Sequence, residues 1–487
     1  MGSSKLSLGN DTIAALATGQ GGAIAVIRVS GPDAVTVADR VFAARSGHPL
    51  AEAAGYTVHF GEILEPYVSE NLSAELPLSR QIVVDEVLAT VFRAPHSYTG
   101  EDSVEISCHA SPYIVGRIMQ LLLEAGARAA TAGEFTTRAF LAGKMDLAEA
   151  EAVADLIAST DRAQHRIAID QMRGGVSSAL AGLRGELVEL AALLELELDF
   201  GEEDVEFASR PRLAELASGI AAETDRLAGS FSLGNAIREG IPVAIVGRPN
   251  AGKSTLLNAL VGDDRAMVSE IAGTTRDRIE ERVNIGGVGF RFVDTAGLRA
   301  TDDVLERMGI DRALDAIRGA RVVLLVVDGS DDANDISVQV AELDLRSHQR
   351  LLILLNKSDL GGTASDKEGC SVSDKEGCFA SDKGGCLAIS AKTGVGLVEL
   401  REWLSSAVDV EGLEASSAMV SNVRHYEALV RAREAVDRLL ANIKSGLSSD
   451  ILAEDIREVL YHLGTITGEV TTDEILGTIF SKFCIGK

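Results

Sequence analysis

The sequence predicts a multidomain protein of α/β plus all-α architecture, with an N-terminal α/β domain followed by helices and a second α/β unit inserted among them. Three observations predict it. The chain has 487 residues, about three domains' worth at roughly 150 residues each. Its texture passes from short β-branched runs to helical periodicity, then to alternating strands and helices, then to helical periodicity again. Its composition, 46% hydrophobic with 24% charged, is that of a globular chain with a sizeable core.

Residues 1–125 contain the β-branched runs Ala23 to Val29, Gln81 to Val91 and Ser103 to Ser107 between amphipathic stretches, which reads as a mixed α/β domain. Residues 126–240 form a first helical half. From Glu134 to Asp199 there are few breakers, and Leu147, Ala150, Val153, Ala154 and Ile157 recur at three and four spacing. The acid-rich run from Leu193 to Phe207 reads as a solvated helix end and loop rather than a metal site. Residues 241–404 alternate helices with the apolar strands Val243 to Val246, Gly289 to Val293, Val322 to Val327, Leu351 to Leu355 and Leu387 to Ile389, the pattern of a parallel sheet wrapped by helices. After Glu402 the chain is helical again to Phe480, so residues 405–487 make a second helical half. The two halves are expected to meet in space.

Charge and composition exclude several classes. With 73 Asp+Glu against 46 Lys+Arg the formal charge is -27, which argues against a protein that coats nucleic acid or anionic membrane through its bulk field. Aromatic residues make up 4%, so base-stacking platforms are scarce. No apolar run approaches the roughly 18 residues of a membrane helix, and the start lacks an apolar signal core; the expectation is a soluble cytosolic protein. Three of the 5 cysteines, Cys370, Cys378 and Cys386, sit in a tandem repeat of Ser-Asp-Lys-Glu/Gly-Gly-Cys over 365–386. Zinc sites prefer ligand pairs two to four residues apart, so the segment 363–386 reads as a duplicated polar loop inserted in the α/β unit.

The chemistry lies in that unit. Gly247-Arg-Pro-Asn-Ala-Gly-Lys-Ser254 follows a strand and opens the helical run Thr255 to Leu260. Its glycines let the backbone wrap a triphosphate from Asn250 and Ala251 to Gly252, Lys253 brings a point charge to the β and γ phosphates, and the Ser254 hydroxyl can ligate Mg²⁺. Asp294-Thr295-Ala296-Gly297 ends the next strand but one, where a carboxylate can hold the metal's outer coordination sphere and a glycine N–H can meet the γ-phosphate. Between them, in Gly273-Thr274-Thr275-Arg276-Asp277, Thr275 is placed as a second hydroxyl for Mg²⁺. Asn356-Lys357-Ser358-Asp359 follows another strand. Asp359 would accept from both donors on the guanine edge, and adenine offers no such pair. Ser390-Ala391-Lys392 completes the base pocket. The position after Gly297 holds Leu298, which cannot polarise water, so another group must do so; Asp302, Asp303 and Glu306 are the nearby acids. Asn250 could help hold a monovalent cation.

Outside this unit, Ile27-Arg-Val-Ser-Gly31, Pro95-His-Ser-Tyr-Thr-Gly-Glu-Asp102, Gly133-Glu-Phe-Thr-Thr-Arg-Ala-Phe-Leu141, Lys144-Met-Asp-Leu-Ala-Glu-Ala-Glu151 and the final Phe483-Cys-Ile-Gly-Lys487 complete a pattern. With these the chain resembles the MnmE (TrmE) family of tRNA-modification GTPases along essentially its whole length, apart from the cysteine repeat. The resemblance implies an N-terminal α/β folate-binding and dimerisation domain, a helical domain and an inserted Ras-like P-loop GTPase domain. It implies a homodimeric, potassium-stimulated GTP hydrolase. With the FAD-binding flavoprotein MnmG (GidA), in a heterotetramer, such an enzyme adds a carboxymethylaminomethyl or aminomethyl group to carbon 5 of the wobble uridine of certain tRNAs, using 5-formyltetrahydrofolate or a related tetrahydrofolate.

Residue by residue, the resemblance places GTP additionally on Thr255, Ser269, Ile271, Gly273 and Thr274, Mg²⁺ on Ser254 and Thr275, and K⁺ on Asn250 with Ser269, Ile271 and Thr274. It gives catalytic roles to Lys253 and to Glu306, which would orient water through an intermediary. Folate falls to Arg28, Glu105, Lys144 and Lys487, and Cys484 is a candidate thiol. Two stretches depart from the family pattern near the folate residues: Ala17 to Gly22 is shorter, and His109-Ala-Ser111 replaces His-Gly-Gly. An alternative reading, a regulatory or ribosome-assembly GTPase switch, accounts for 241–400 equally well but leaves Glu105, Lys144 and the Cys-Ile-Gly-Lys end unexplained. The acidic charge leaves tRNA to be held mainly by the partner or by a local basic cluster.

Overall fold

The computed structural model describes residues 11–19, 21–66, 81–199, 210–264, 280–294, 316–346, 349–360, 384–408, 418–481 and 483–486. Two compact units emerge: residues Met1–Ala154 with Leu463–Lys487, and residues Asp155–His462.

The first unit carries β1 (Ile13–Leu16), β2 (Ile24–Ser30), α1 (Ala34–Asp39), β3 (Phe42–Ala44), β4 (Thr57–Pro66), β5 (Gln81–Phe92), β6 (Ser103–His109), α2 (Pro112–Glu124), β7 (Arg128–Ala129) and α3 (Glu134–Leu141). The strands form one sheet in the order β3-β4-β5-β6-β2-β1-β7. Only the short pairing of β1 with β7 is parallel. Strand alternation decides the faces: Val87, Ala89 and Val91 of β5 and Val104 and Ile106 of β6 are buried against α1 and α2, together with Ile118, Leu121 and Leu122. The β-branched runs of the sequence are the centre of this sheet. The less apolar β4, paired with β5 over its whole length, could not be distinguished from loop by composition.

The helical run resolves into α3, α4 (Leu147–Ala158), α5 (Arg162–Met172), α6 (Gly175–Asp199) and α7 (Arg210–Glu239). Asp161 starts α5 by accepting the Gln164 N–H at 2.8 Å, an N-cap that satisfies one of the donors a helix start leaves open.

Next come β8 (Ile241–Val246), α8 (Lys253–Asp264), β9 (Glu280–Ile285), β10 (Val288–Asp294), β11 (Val322–Asp328), α9 (Ala333–Ala341), β12 (Arg350–Asn356), β13 (Gly384–Ala388) and α10 (Leu397–Ala407). Their sheet runs β13-β12-β11-β8-β10-β9. All pairings are parallel except the β9–β10 hairpin. Val243, Ile245, Leu324 and Val326 point to one apolar layer and Ala244, Val246, Val323, Leu325 and Val327 to the other. Burial on both faces is why these strands read as unbroken apolar runs.

The expected parallel sheet thus gains an antiparallel edge, β9, whose sequence Glu-Glu-Arg-Val-Asn-Ile is too charged to announce a strand. A second difference concerns the repeat. Cys386, assigned to the polar loop 363–386, belongs to β13 and pairs with Ile353 of β12. Parallel pairing carries the strand back into Gly384 and Gly385, and the Cys386 side chain joins the apolar layer of Ile353 and Leu355. Cys370 and Cys378 lie outside the described residues.

The chain ends in α11 (Val423–Lys444), α12 (Ser449–Thr467) and α13 (Asp473–Phe480). The two helical stretches do meet: Phe231 of α7 stacks on Tyr426 of α11 with ring centroids 4.5 Å apart, and Arg433 pairs with Asp225 at 3.0 Å. Buried Gln171 of α5 donates to the Met419 carbonyl at 2.7 Å. An α/β unit is therefore inserted into a helical domain. The last residues go elsewhere. Residues 463–487 cluster with the N-terminal unit, where α13 packs on α3 through Phe140, Phe480 and Phe483.

Phe290 is fully buried at the centre of the β10 face, in the layer against which the single tryptophan, Trp403, packs. Phe290→Ala should destabilise this unit by about 3–5 kcal/mol, through lost transfer energy and the cavity left behind. Tryptophan fluorescence during urea unfolding reads that loss directly as a lowered midpoint.

Candidate functional site

The parallel strands bring the sequence motifs together at one edge. β8 runs into Gly247–Ser254, β10 ends at Asp294, β11 at Asp328 and β12 at Asn356. The residue after β13, Ile389, leads to Ser390-Ala391-Lys392. Registers Asp294 with Ile245, Asp328 with Asn356 and Leu355 with Ala388 set these ends side by side. In open α/β sheets this carboxyl edge, with loops free to vary, is where ligands bind.

The Gly247–Ser254 turn is shaped by two glycines. Gly247 has φ 142 and Gly252 φ 101, and a Cβ at either would overlap the Val326 carbonyl or the Asn356 amide. No L side chain fits both constraints. Asn250 also lies in the left-handed region, φ 62, with its side chain exposed. Lys253 opens α8 and donates to the carbonyls of Gly247 at 2.7 Å and Arg248 at 2.8 Å. The loop therefore closes on the ammonium that a phosphate would share. Exposed Ser254 and Thr255 follow in the first turn of α8, where open N–H groups and the helix dipole favour an anion.

Asn356 binds the site together. Its amide is buried, at 3% exposure, and donates to the Ala251 carbonyl at 2.8 Å while its oxygen accepts the Ala391 N–H at 2.9 Å. One side chain thus ties the phosphate-type loop to the loop after β13. Ser390, also buried, donates to Asp359 Oδ1 at 2.7 Å and accepts the Thr393 N–H at 3.2 Å. This orients the exposed Asp359 carboxylate and leaves acceptor capacity for the paired donors of a guanine edge. Lys357, with φ 66, reaches Asp328 at 2.6 Å. Lys392 is exposed beside them.

Two ion pairs at this edge went unread in the sequence. One is Lys357 with Asp328. The other is Arg248, inside the glycine-rich loop, with Asp335 on α9 at 3.3 Å. Both join residues far apart in the chain, and an acid at the end of β11 and one in the first turn of α9 are their only local signal. Of the remaining sequence-predicted residues, the backbone of Asp294 is placed at the end of β10. Ser269, Ile271, Gly273, Thr274, Thr275, Thr295, Ala296, Gly297 and Glu306 lie outside the described residues, as does Lys487.

A second cluster lies in the N-terminal unit. Arg28 of β2 and Glu105 of β6 are register partners. Their side chains pair at 2.8–2.9 Å, both contacts falling on Glu105 Oε1. The Arg28 guanidinium lies over the rings of Tyr98 and Phe135, at 5.1 and 5.7 Å from their centroids. Lys144 donates to the Pro95 carbonyl at 3.0 Å, so the Pro95–Asp102 segment carries both Tyr98, against Arg28, and the contact to Lys144. Cys484 is exposed; its carbonyl accepts the Gly133 N–H at 3.3 Å and Ile485 bridges to Ala132. The terminal motif is thereby held on the N-terminal unit. The Gly133–Leu141 motif serves to build the fold. Within it, buried Glu134 accepts from the Thr131 N–H at 2.8 Å and from Arg138 at 3.1 Å. Burial works against its charge, but Arg128, Thr131 and Arg138 outweigh it and hold the carboxyl below the usual range.

Because an added methyl at Gly252 would collide with the Asn356 amide and meet a disfavoured φ, Gly252→Ala should abolish measurable nucleotide binding and lower the melting point of the sheet, at about 1–3 kcal/mol for each hydrogen bond of that amide it displaces. Titration with a fluorescent guanine nucleotide, alongside a tryptophan melt, checks both halves.

Residues 12–144 match the N-terminus of the GTP-binding protein TrmE and residues 147–484 the MnmE helical domain. The tRNA modification GTPase MnmE of Christiangramia forsetii is 49% identical over 98% of this chain and 99% of its own length. That of Bacteroides fragilis is 48% identical over 99% of this chain and all of its own, and that of Flavobacterium johnsoniae 47% identical over 99% of this chain. With both domain models matched and relatives 47–49% identical over 98–99% of the chain, the chain belongs to the MnmE family of tRNA modification GTPases.

Proposed function

We propose that the chain is a potassium-stimulated GTPase that acts with an FAD-binding partner to add a carboxymethylaminomethyl or aminomethyl group to carbon 5 of the wobble uridine in certain tRNAs. The observation that carries this reading is the convergence of Gly247–Ser254, Asn356–Asp359 and Ser390–Lys392 on one sheet edge, in a chain that matches tRNA modification GTPases over 98–99% of its length. In this reading residues 1–125 are the folate-binding and dimerisation domain, 126–240 and 405–487 the helical domain, and 241–404 the GTPase domain.

The chain's own residues account for GTP binding in physical terms. Gly247–Thr255 wraps the phosphates with backbone N–H groups, and Lys253 exchanges its loop carbonyls for phosphate oxygens. Asp359, oriented by Ser390, selects guanine, since a base without the paired donors, such as adenine, would leave the carboxylate desolvated and unpaired. The Ser254 hydroxyl at the first turn of α8 is a hard oxygen donor that fits Mg²⁺; Thr275 would be its second. Asn250, exposed in a left-handed turn, offers an amide oxygen to K⁺, with Ser269, Ile271 and Thr274. Bound there, the cations neutralise charge that develops on the phosphates. Glu306 would orient the attacking water through an intermediary.

Folate fits the second cluster by the chemistry of its side chains. Glu105 engages Arg28 through Oε1, so Oε2 can accept from an amide and amino edge, while Arg28, Lys144 and Lys487 suit a glutamate tail. When bound, a tetrahydrofolate supplies a one-carbon unit. Dimerisation is supported by the sheet face opposite the core, where Phe60 pairs in register with Leu88 and both are exposed, at 43% and 46%, beside Val58 at 59%. Exposed apolar residues grouped in this way mark interaction surfaces. The flavoprotein partner and the tRNA complete the assembly, which we place in the cytoplasm; among the described residues no helix is long and apolar enough to cross a membrane.

Deleting the gene and analysing tRNA nucleosides by mass spectrometry tests this function. Wobble-uridine modification should vanish and return with the wild-type chain but not with Glu306→Ala. In the purified Glu306→Ala protein GTP turnover should fall by roughly 10²-fold or more with nucleotide affinity nearly unchanged, since the loss is confined to the transition state. An unchanged nucleoside profile would contradict the reading.

A further inference from the structure

The motif Asn356–Asp359 contains one residue whose placement depends on a group outside every recognised motif. Lys357 stands at φ 66, directly after the last residue of β12, and its ammonium is 2.6 Å from Asp328 Oδ2. Asp328 ends the neighbouring strand in register with Asn356. Its other oxygen, Oδ1, accepts the Ser330 N–H at 3.0 Å and the Ser330 hydroxyl at 2.8 Å, while the Gly329 N–H donates to the Asn356 carbonyl at 2.8 Å. The turn 328–330 therefore clamps the backbone of Asn356 and, through one oriented carboxylate, the side chain of Lys357.

We propose that Asp328 is a positioning residue of the guanine pocket: it fixes the direction of the Lys357 side chain, so that the lysine stem forms a preordered wall for the base. A flexible lysine left free would have to be ordered on each binding event, at an entropic cost that weakens affinity. Anchored by Asp328, it is ordered before the nucleotide arrives. Lys357 and Ser330 hold the Asp328 carboxyl down to about 2. Because this folded-state value lies below the ordinary one, the pair is fully charged above about pH 4 and weakens only as the pH falls toward 2, so the anchor operates throughout the range in which GTP turnover is measured.

This inference rests on the assignment of Asn356–Asp359 to the guanine base, and the test separates the two. Release of fluorescent GDP and the steady-state parameters for GTP are measured on the full-length protein for Asp328→Ala, Asp328→Glu, Lys357→Met and the double variant. Asp328→Ala should speed GDP release about tenfold and raise KM far more than it lowers kcat, because the loss falls on binding common to ground and transition states. Asp328→Glu, which keeps the charge on a longer stem, should recover part of the loss. In the Lys357→Met background Asp328→Ala should add no more than about twofold, because residues acting through one another are not additive. If Asp328→Ala acts equally in both backgrounds, its role is only structural and the proposal falls. Lys357→Met speeding release while Asp328→Ala does not would overturn the proposal alone. Lys357→Met without effect on release would overturn the base-pocket assignment and the proposal with it.

Discussion

The buried amide of Asn356 is the contact on which the nucleotide site depends, because it joins three loops that the chain delivers separately. Its donor holds the Ala251 carbonyl and its acceptor the Ala391 N–H, while its backbone carbonyl receives Gly329. Each of these groups is taken out of water, so losing the amide would leave a desolvated donor and acceptor at about 1–3 kcal/mol each. The sheet makes the contact possible: parallel strands ending in register place the loops within reach of one short side chain. Gly252 makes it close, since only a residue without Cβ leaves room for the amide.

The same logic extends outward. Ser390 orients Asp359, Ser330 orients Asp328 and Asp328 holds Lys357, so that polar groups at the sheet edge are fixed by neighbours before any ligand arrives. Preorganisation of this kind lowers the cost of ordering side chains upon binding. Arg248 with Asp335 adds an exposed tie between the glycine-rich loop and α9, a contact that salt screening makes modest in energy. In the N-terminal unit the pairing of Arg28 with Glu105 follows from register alone, and Tyr98 and Phe135 enclose the guanidinium.

Much of this was legible in the sequence. The glycine-rich loop and Asn356–Asp359 are local motifs with fixed spacing, and strands buried on both faces appear as apolar runs such as Val322 to Val327. What the sequence hid is what depends on pairing. β9 carries charged residues because one side meets solvent, and β4 mixes polar with apolar residues on both of its faces, so that only their partners make them strands. Arg28 and Glu105 lie 77 positions apart, and Lys357 and Asp328 29 apart. Cys386 read as part of a polar repeat because its burial comes from β12 and not from its own neighbours. The terminal Cys-Ile-Gly stretch followed the helices in sequence yet is held by Ala132 and Gly133 of the N-terminal unit.

In the proposed function the sheet edge recognises guanine through the Asp359 carboxylate. Competition of GTP and XTP for Asp359→Asn against wild type tests it most directly, because xanthine carries a carbonyl where guanine carries the amino group that the carboxylate would accept from, and an asparagine amide can donate to that carbonyl. The variant should lose GTP affinity by about a hundredfold and gain affinity for XTP. An unchanged preference for GTP would contradict it.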